Sequence, residues 1–269
     1  MIKLSIITIC FNEKDRIEKT LLSVISQKFK NYEFIIIDGD STDGTKDIIE
    51  KYKENITVFI SEKDRGIYDA MNKGINNSNG EYLLFLNGGD YLYSNDTLQE
   101  VFEKYNPIMI NYDIVYGNII VMSNGSIFKG KKPFLSNSLF LFIGSFPHQA
   151  AFIKRELFIN DGLYDDNFRI VGDQEFFVRE IIKNKKKIIH IPLIISFYDN
   201  QNYSISEDKN LSDKRNMEKM IILKKYFNKF ELIFYPLLAK IAKLLLIIKD
   251  RLKQKTNKNK QNSKIDKRE

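Results

Sequence analysis

Two short stretches carry residue types that can do chemistry. Asn87-Gly88-Gly89-Asp90 closes the apolar run Tyr82–Leu86, and Asp38-Gly39-Asp40-Ser41-Thr42-Asp43-Gly44-Thr45 closes Tyr32–Ile37. Both acidic loops fall at the carboxyl ends of what read as buried strands, where ligands bind in open α/β sheets. Asp90 can hold a hard cation through oxygen, and the glycines before it let a ligand approach the backbone. Carboxylates and hydroxyls of the Asp38 loop can accept hydrogen bonds from a base edge or a ribose. Plainer readings stand beside these: a Gly-Asp turn after a strand, and a helix entry capped by Ser41 or Asp43. Neither G-x-G-x-x-G nor G-x-x-x-x-G-K-[ST] follows the first strand, which counts against dinucleotide and P-loop sites.

A third polar group is Pro147-His148-Gln149 together with Val171-Gly172-Asp173-Gln174-Glu175-Phe176. An aspartate in the first turn of a helix is ordinarily a partner for the helix dipole. A lone histidine before a β-prone run is ordinarily a structural hydrogen-bonder. His190, inside the apolar run Ile188–Ile195, reads as core.

The elements that must position these residues follow from hydrophobic periodicity. Leu4–Cys10 is a strand buried on both faces. A helix capped by Asp15 runs to Gln27, with Ile17, Leu21, Leu22, Val24 and Ile25 inward. After the Tyr32–Ile37 strand come a helix to about Tyr52 and a strand near Thr57–Ile60. Ile67, Met71 and Ile75 mark a helix over Ile67–Asn77, stopped by the turn Asn77-Ser78-Asn79-Gly80, and the Tyr82–Leu86 strand follows. Strand and helix alternating in this way predict a parallel sheet with right-handed crossovers. Beyond Asp90 the pattern changes to a helix over Asp96–Tyr105 and strands at Ile114–Met122 and Ser126–Lys129, turning at Asn124-Gly125.

Four ordered motifs carry a resemblance: Ser5–Glu13, Ile35–Thr45, Gly66–Gly74 and Gly80–Asp90 look like those of the family 2 glycosyltransferases. The resemblance covers roughly residues 3 to 200 and implies the GT-A fold: an open, mostly parallel Rossmann-like sheet with a mixed acceptor-side extension and C-terminal helices. It implies that Thr8, Phe11 and Asp38 hold the nucleotide base, with Glu13 close by. Asp69, Asn72 and Lys73 would lie near the donor's sugar and diphosphate. The family's aspartate-any-aspartate cluster is here Asn87-Gly88-Gly89-Asp90. A similar subgroup shares that form, and Asp90 with the donor's diphosphate can hold Mg²⁺ or Mn²⁺. Asp173 matches the family's base-bearing step and would take the acceptor hydroxyl's proton, with Glu175 as its neighbour one step along the helix. His148-Gln149 would serve the acceptor, a phosphate or, through His148, the metal.

Composition bounds the rest. A hydrophobic fraction of 43% supports a real core, and the single cysteine, Cys10, excludes an internal disulfide framework. The net charge of +7 is a property of the end of the chain. Residues 249–269 hold nine Lys or Arg against three acids, which accounts for six of those charges and removes the case for nucleic acid. Met1–Phe11 reads as a first strand, too short and too soon followed by charge for a signal peptide.

Residues 206–228 read as a mixed-charge helix. Residues 230–252 are apolar but interrupted by Glu231, Pro236, Lys240 and Lys243, a poor membrane crosser. A wide apolar face followed by a basic tail suits a helix lying on an anionic membrane; packing on the body or forming a homodimer is the other reading.

The sequence thus predicts a GT-A domain over 1–205, with a nucleotide-sugar half at 1–95 and an acceptor half at 96–205. C-terminal helices at 206–252 and a disordered basic tail at 253–269 would follow. The expected activity is inverting transfer of a hexosyl or N-acetylhexosaminyl group from a nucleoside-diphosphate sugar, UDP-sugar favoured. The expected acceptor is a saccharide, lipid-linked, in bacterial surface-polysaccharide synthesis at the inner, cytoplasmic face of the membrane. The alternatives are a sugar-phosphate nucleotidyltransferase, disfavoured by the missing triphosphate loop, and a non-catalytic nucleotide-sugar sensor.

Overall fold

The computed structural model describes residues 2–123, 126–129, 136–199 and 209–241. In chain order the first half runs β1 (Leu4–Cys10), α1 (Ile17–Ile25), β2 (Tyr32–Asp38), α2 (Thr45–Glu50), β3 (Val58–Ser61), α3 (Ile67–Asn76) and β4 (Tyr82–Phe85). The second half runs β5 (Tyr91–Leu92), α4 (Thr97–Lys104), α5 (Asn106–Met109), β6 (Ile114–Ser123), β7 (Ser126–Lys129), α6 (Asn137–Ile143), β8 (Ala151–Lys154), α7 (Arg155–Asn160), α8 (Gly172–Val178), β9 (Ile188–Asp199) and α9 (Ser212–Tyr226). A further helix occupies 229–241. The Asn124-Gly125 turn and the segment from 242 onward lie outside the described residues.

One sheet holds all nine strands among the described residues, in the order β3-β2-β1-β4-β8-β6-β9-β5, with β7 paired to β6. The β3-β2-β1-β4 block is parallel, as continuous apolar runs joined by helices require. Beyond β4 the pairing turns mixed: β8 is antiparallel to both β4 and β6, while β6 and β9 run parallel through two register shifts. Every residue of β1 is buried, because helices cover both faces. Ile7, Ile9, Ile35 and Ile37 point to a core shared with α3 and α8, and Leu4, Ile6, Phe34 and Ile36 to one shared with α1 and α4. Each such side chain contributes on the order of 1.5–3 kcal/mol, so the central strands fix the frame on which the loops are hung.

Two local expectations for α1 differ from the structure. Asp15 makes no cap; Arg16 occupies that position with no side-chain cap bond, and Glu13 supplies the carbonyl that accepts the Arg16 and Ile17 N–H groups. Leu22 is 47% exposed, and the buried stripe is Ile17, Thr20, Leu21 and Val24. Thr20 displaces leucine because its hydroxyl has work at the sheet's end: it donates to the Asp90 carbonyl at 2.7 Å and accepts the Gly89 N–H at 3.0 Å. At the start of α2, Asp43 accepts the Thr45 N–H at 2.9 Å, while Ser41 turns back to Asp38 and Asn12.

Candidate active site

The carboxyl ends of β1 and β4 open into a cleft of about 1090 Å³, roomy enough for a nucleotide bearing a sugar. Its far wall is built from the 144–149 loop, the start of α8 and the start of α9. The Asn87–Asp90 loop forms the floor. Gly89 has φ +93° and lies under the Arg16 guanidinium, while the space beside Gly88 is taken by Glu13 and Cys10. Both glycines therefore make room for the protein's own side chains, and Gly89 also supplies the left-handed turn.

Asp90 is buried, and its Oδ1 accepts the Asp199 N–H at 3.3 Å. Burial pushes its carboxyl up to about 7, against the pull of His148, that N–H and Arg16. Beside it the Asn87 side-chain oxygen is buried with no hydrogen-bond partner. A carboxylate and an orphaned amide oxygen at one spot are hard donors of the kind Mg²⁺ and Mn²⁺ accept. Among the described residues no cluster of three His, Cys, Asp or Glu could hold a metal alone, so phosphate oxygens and water would have to complete the shell.

His148 joins this floor to the far wall. Its Nε2 lies 3.3 Å from the Asn87 amide nitrogen, and its Nδ1 lies 3.6 Å from Asp173 Oδ2. With Nε2 accepting from the amide, the Nδ1 edge of the ring faces Asp173. Tyr68 on α3 brings its hydroxyl to 3.2 Å from Asp173 Oδ1. Burial alone would raise the Asp173 carboxyl; His148, the Gln174 N–H and Tyr68 overcome it and hold the group below the usual carboxylate range. Asp173 is therefore ionised where it lines the cleft. Glu175 is on another face of α8, fully buried and bonded to Arg179, Lys225 and Tyr226, so it ties α8 to α9 and does not line the cleft.

Phe11, 59% exposed, and Glu13 line the cleft with Asn87, Asp90, His148, Gln149 and Asp173. Five other residues marked in the sequence do not. Thr8 is buried and spends its hydroxyl on the Leu86 carbonyl at 2.7 Å. Asp38 is buried beneath the loop it opens, accepting from the Ser41 N–H at 2.9 Å and the Ser61 hydroxyl at 2.7 Å. On α3 the cleft-facing residues are Ile67, Tyr68 and Ala70, and the helical turn carries Asp69, Asn72 and Lys73 to other faces. There Asp69 pairs with Arg65 at 2.8 Å, Asn72 clamps the Tyr164 backbone, and Lys73 reaches Glu62 at 2.7 Å.

Several cleft residues had no sequence signal that singled them out. Asp64 lines the cleft next to Gly39, where a base contact was expected of Asp38. Arg16 forms a two-toothed pair with Glu13 at 2.7 and 2.8 Å. Lys214, Arg215 and Lys219, within a stretch read only as a mixed-charge helix, stand with Arg169 on the far wall, an array of cations suited to phosphate oxygens. Arg215 and Lys219, four residues apart and so on one helix face, were the available clue.

The Glycosyl transferase family 2 model matches residues 5–163, more than half of the chain. The chain belongs to that family. Its fold is of the GT-A type. It is 35% identical over 163 residues, 58% of its own length, to a PGL/p-HBAD biosynthesis glycosyltransferase of Mycobacterium tuberculosis, and spans 61% of that relative. It is 38% identical over 102 residues, 37% of its length and 40% of the relative's, to the putative teichuronic acid biosynthesis glycosyltransferase TuaG of Bacillus subtilis. Among solved structures, S. aureus TarS 1-349 in complex with UDP-GlcNAc aligns with a TM-score of 0.65 at 19% identity, over 86% of this chain and 73% of that one. The mannosyltransferase PcManGT of Pyrobaculum calidifontis, in complex with GDP-Man and Mn²⁺, aligns with a TM-score of 0.60 at 18% identity, over 83% and 63%. These two likenesses concern the fold.

Proposed function

We propose that this family 2 member is an inverting glycosyltransferase that moves a sugar from a nucleoside-diphosphate sugar, UDP-sugar favoured, to a saccharide hydroxyl. The observation that carries this reading is the placement of ionised Asp173 across one cleft from Asp90 and Asn87, with His148 between them. The nucleotide-sugar complexes of TarS and PcManGT, and the biosynthetic names of the mycobacterial and TuaG relatives, support the donor class and the polysaccharide or glycolipid context.

In this mechanism Phe11 and Asp64 frame the base, and Glu13 with Arg16 forms the wall beside the Asn87–Asp90 loop. Asp173 accepts the acceptor hydroxyl's proton as its oxygen bonds to the anomeric carbon. The anomeric carbon–oxygen bond to the diphosphate breaks on the opposite face, so configuration inverts and the nucleoside diphosphate leaves. Asp90 and the Asn87 oxygen would hold Mg²⁺ or Mn²⁺, which when bound neutralises charge on the leaving diphosphate. Arg169, Lys214 and Lys219 add positive charge on the far wall.

The acceptor is inferred to be lipid-linked and the protein peripheral on an anionic membrane. Among the described residues no helix is long and apolar enough to cross a membrane. The 229–241 helix nevertheless exposes Phe230, Ile233, Phe234 and Leu237, and nine Lys or Arg follow within 249–269. Transfer assays against UDP-, GDP- and TDP-sugars with and without Mn²⁺ test the proposal. Turnover of a sugar donor with inversion is expected, and saturable donor binding without hydrolysis or transfer would overturn it.

A further inference from the structure

We propose that Glu218 is a positioning residue for Asp173, holding the backbone turn from which α8 starts. Glu218 lies on α9, in sequence nearly 50 residues beyond that turn. Its Oε1 accepts the Arg169 N–H at 2.9 Å, and its Oε2 accepts the N–H groups of Ile170 at 2.9 Å and Val171 at 3.2 Å. These three successive amides lead directly into Gly172 and Asp173. The carboxylate is only 6% exposed, although α9 is otherwise largely open to solvent, with Met217, Met220 and Ile221 outward. A buried carboxylate is costly unless several donors satisfy it, and these backbone donors do so.

The held turn reaches the base by two routes. One is covalent, through Gly172. The other runs through Tyr68, whose hydroxyl lies 3.1 Å from the Ile170 carbonyl and 3.2 Å from Asp173 Oδ1. A hydroxyl has one hydrogen to give, so the position of the Ile170 carbonyl decides how much of it Asp173 receives. Glu218 touches neither cleft nor substrate; it acts through the 169–171 backbone. The same docking brings its neighbour Lys219 to the cleft wall.

This inference rests on Asp173 being the base, and a double-mutant cycle on the full chain separates the two claims. Transfer, donor KM and donor affinity would be measured for Glu218→Gln, Asp173→Asn and the pair. Glutamine keeps the size but has one oxygen where three N–H groups need two. Transfer by Glu218→Gln should fall about 100-fold, the scale of a displacement near 1 Å, with donor affinity retained. In the Asp173→Asn background the same change should cost almost nothing further. Should the glutamine variant fail to fold, Glu218→Asp, which keeps the charge on a shorter stem, carries the same cycle with a smaller loss. An equal loss in both backgrounds would show Glu218 to be structural only, and wild-type turnover would show it idle. Undiminished transfer by Asp173→Asn itself would instead refute the base.

Discussion

His148 Nδ1 stands 3.6 Å from Asp173 Oδ2, and the opposite edge of the same ring meets the Asn87 amide. The imidazole thus couples the oxygen-rich end of β4 to the carboxylate at the start of α8. Its pull helps to keep Asp173 ionised inside a buried wall that would otherwise favour the neutral acid. Replacing it by alanine leaves burial less opposed, so the Asp173 carboxyl rises. The acid limb of the transfer profile of His148→Ala should then move to higher pH, with activity lost earlier on acidification. A pH–rate profile with an unmoved acid limb would contradict this coupling.

Asp173 and Glu175 separate cleanly by variant. Asp173→Asn should bind donor normally and lose transfer by roughly 10²–10⁴-fold, the worth of a positioned general base. Glu175→Gln should keep most of its transfer but lose stability by about 1–3 kcal/mol, because Arg179 and Lys225 lose a buried charged partner. Melting temperature and turnover, measured together on both variants, check the assignment.

Asp90 titrates near neutrality, so its proton competes with any cation. Its folded pKa of about 7 lies above the unfolded value near 3.9, so the protonated form is favoured by folding. The associated stability is present below the unfolded pKa and lost as pH rises through about 7. Cation affinity runs the other way: it should weaken by about tenfold for each pH unit below 7 and level off above it. Mn²⁺ titrations in the presence of UDP at pH 5, 6, 7 and 8 measure the slope; a flat dependence would place the cation elsewhere.

The exposed face of the 229–241 helix offers a test that spares the core. Ile233 is 70% and Leu237 56% exposed, whereas Tyr235 packs on Phe142 and Phe227. The double change Ile233→Gln and Leu237→Gln should leave melting unchanged. It should weaken binding to anionic liposomes by about 2 kcal/mol, roughly 30-fold. Unaltered co-sedimentation at physiological salt would exclude this face as the membrane contact.

What the sequence revealed followed from burial patterns that are local. The parallel strands β1, β2 and β4 are continuous apolar runs, and α3 repeats its apolar residues every four positions, so the loops at their ends could be located. Side-chain allegiance was harder to read. Asp38 has the right chemistry for a base contact, yet Ser41 and Ser61 fold over it. Asn72 likewise clamps Tyr164. Thr20 is one polar residue within an apolar stripe, and only the packed loop reveals its two bonds. Glu218 and Lys219 belong to a helix whose charges look solvated until residues nearly 50 positions earlier are brought beside them.

The bond from the Asp199 N–H to Asp90 sets a timetable for the site. The partners are 109 residues apart, and Arg16, which reaches the Asp199 carbonyl at 3.4 Å, is 183 residues away. Closing loops of such length costs entropy before the contact repays it. A chain emerging from the ribosome would present Asp90 long before β9 exists to hold it. The bond that holds Asp90 therefore needs β9, and a fragment ending at residue 95 should carry the acidic loop without the function proposed for it.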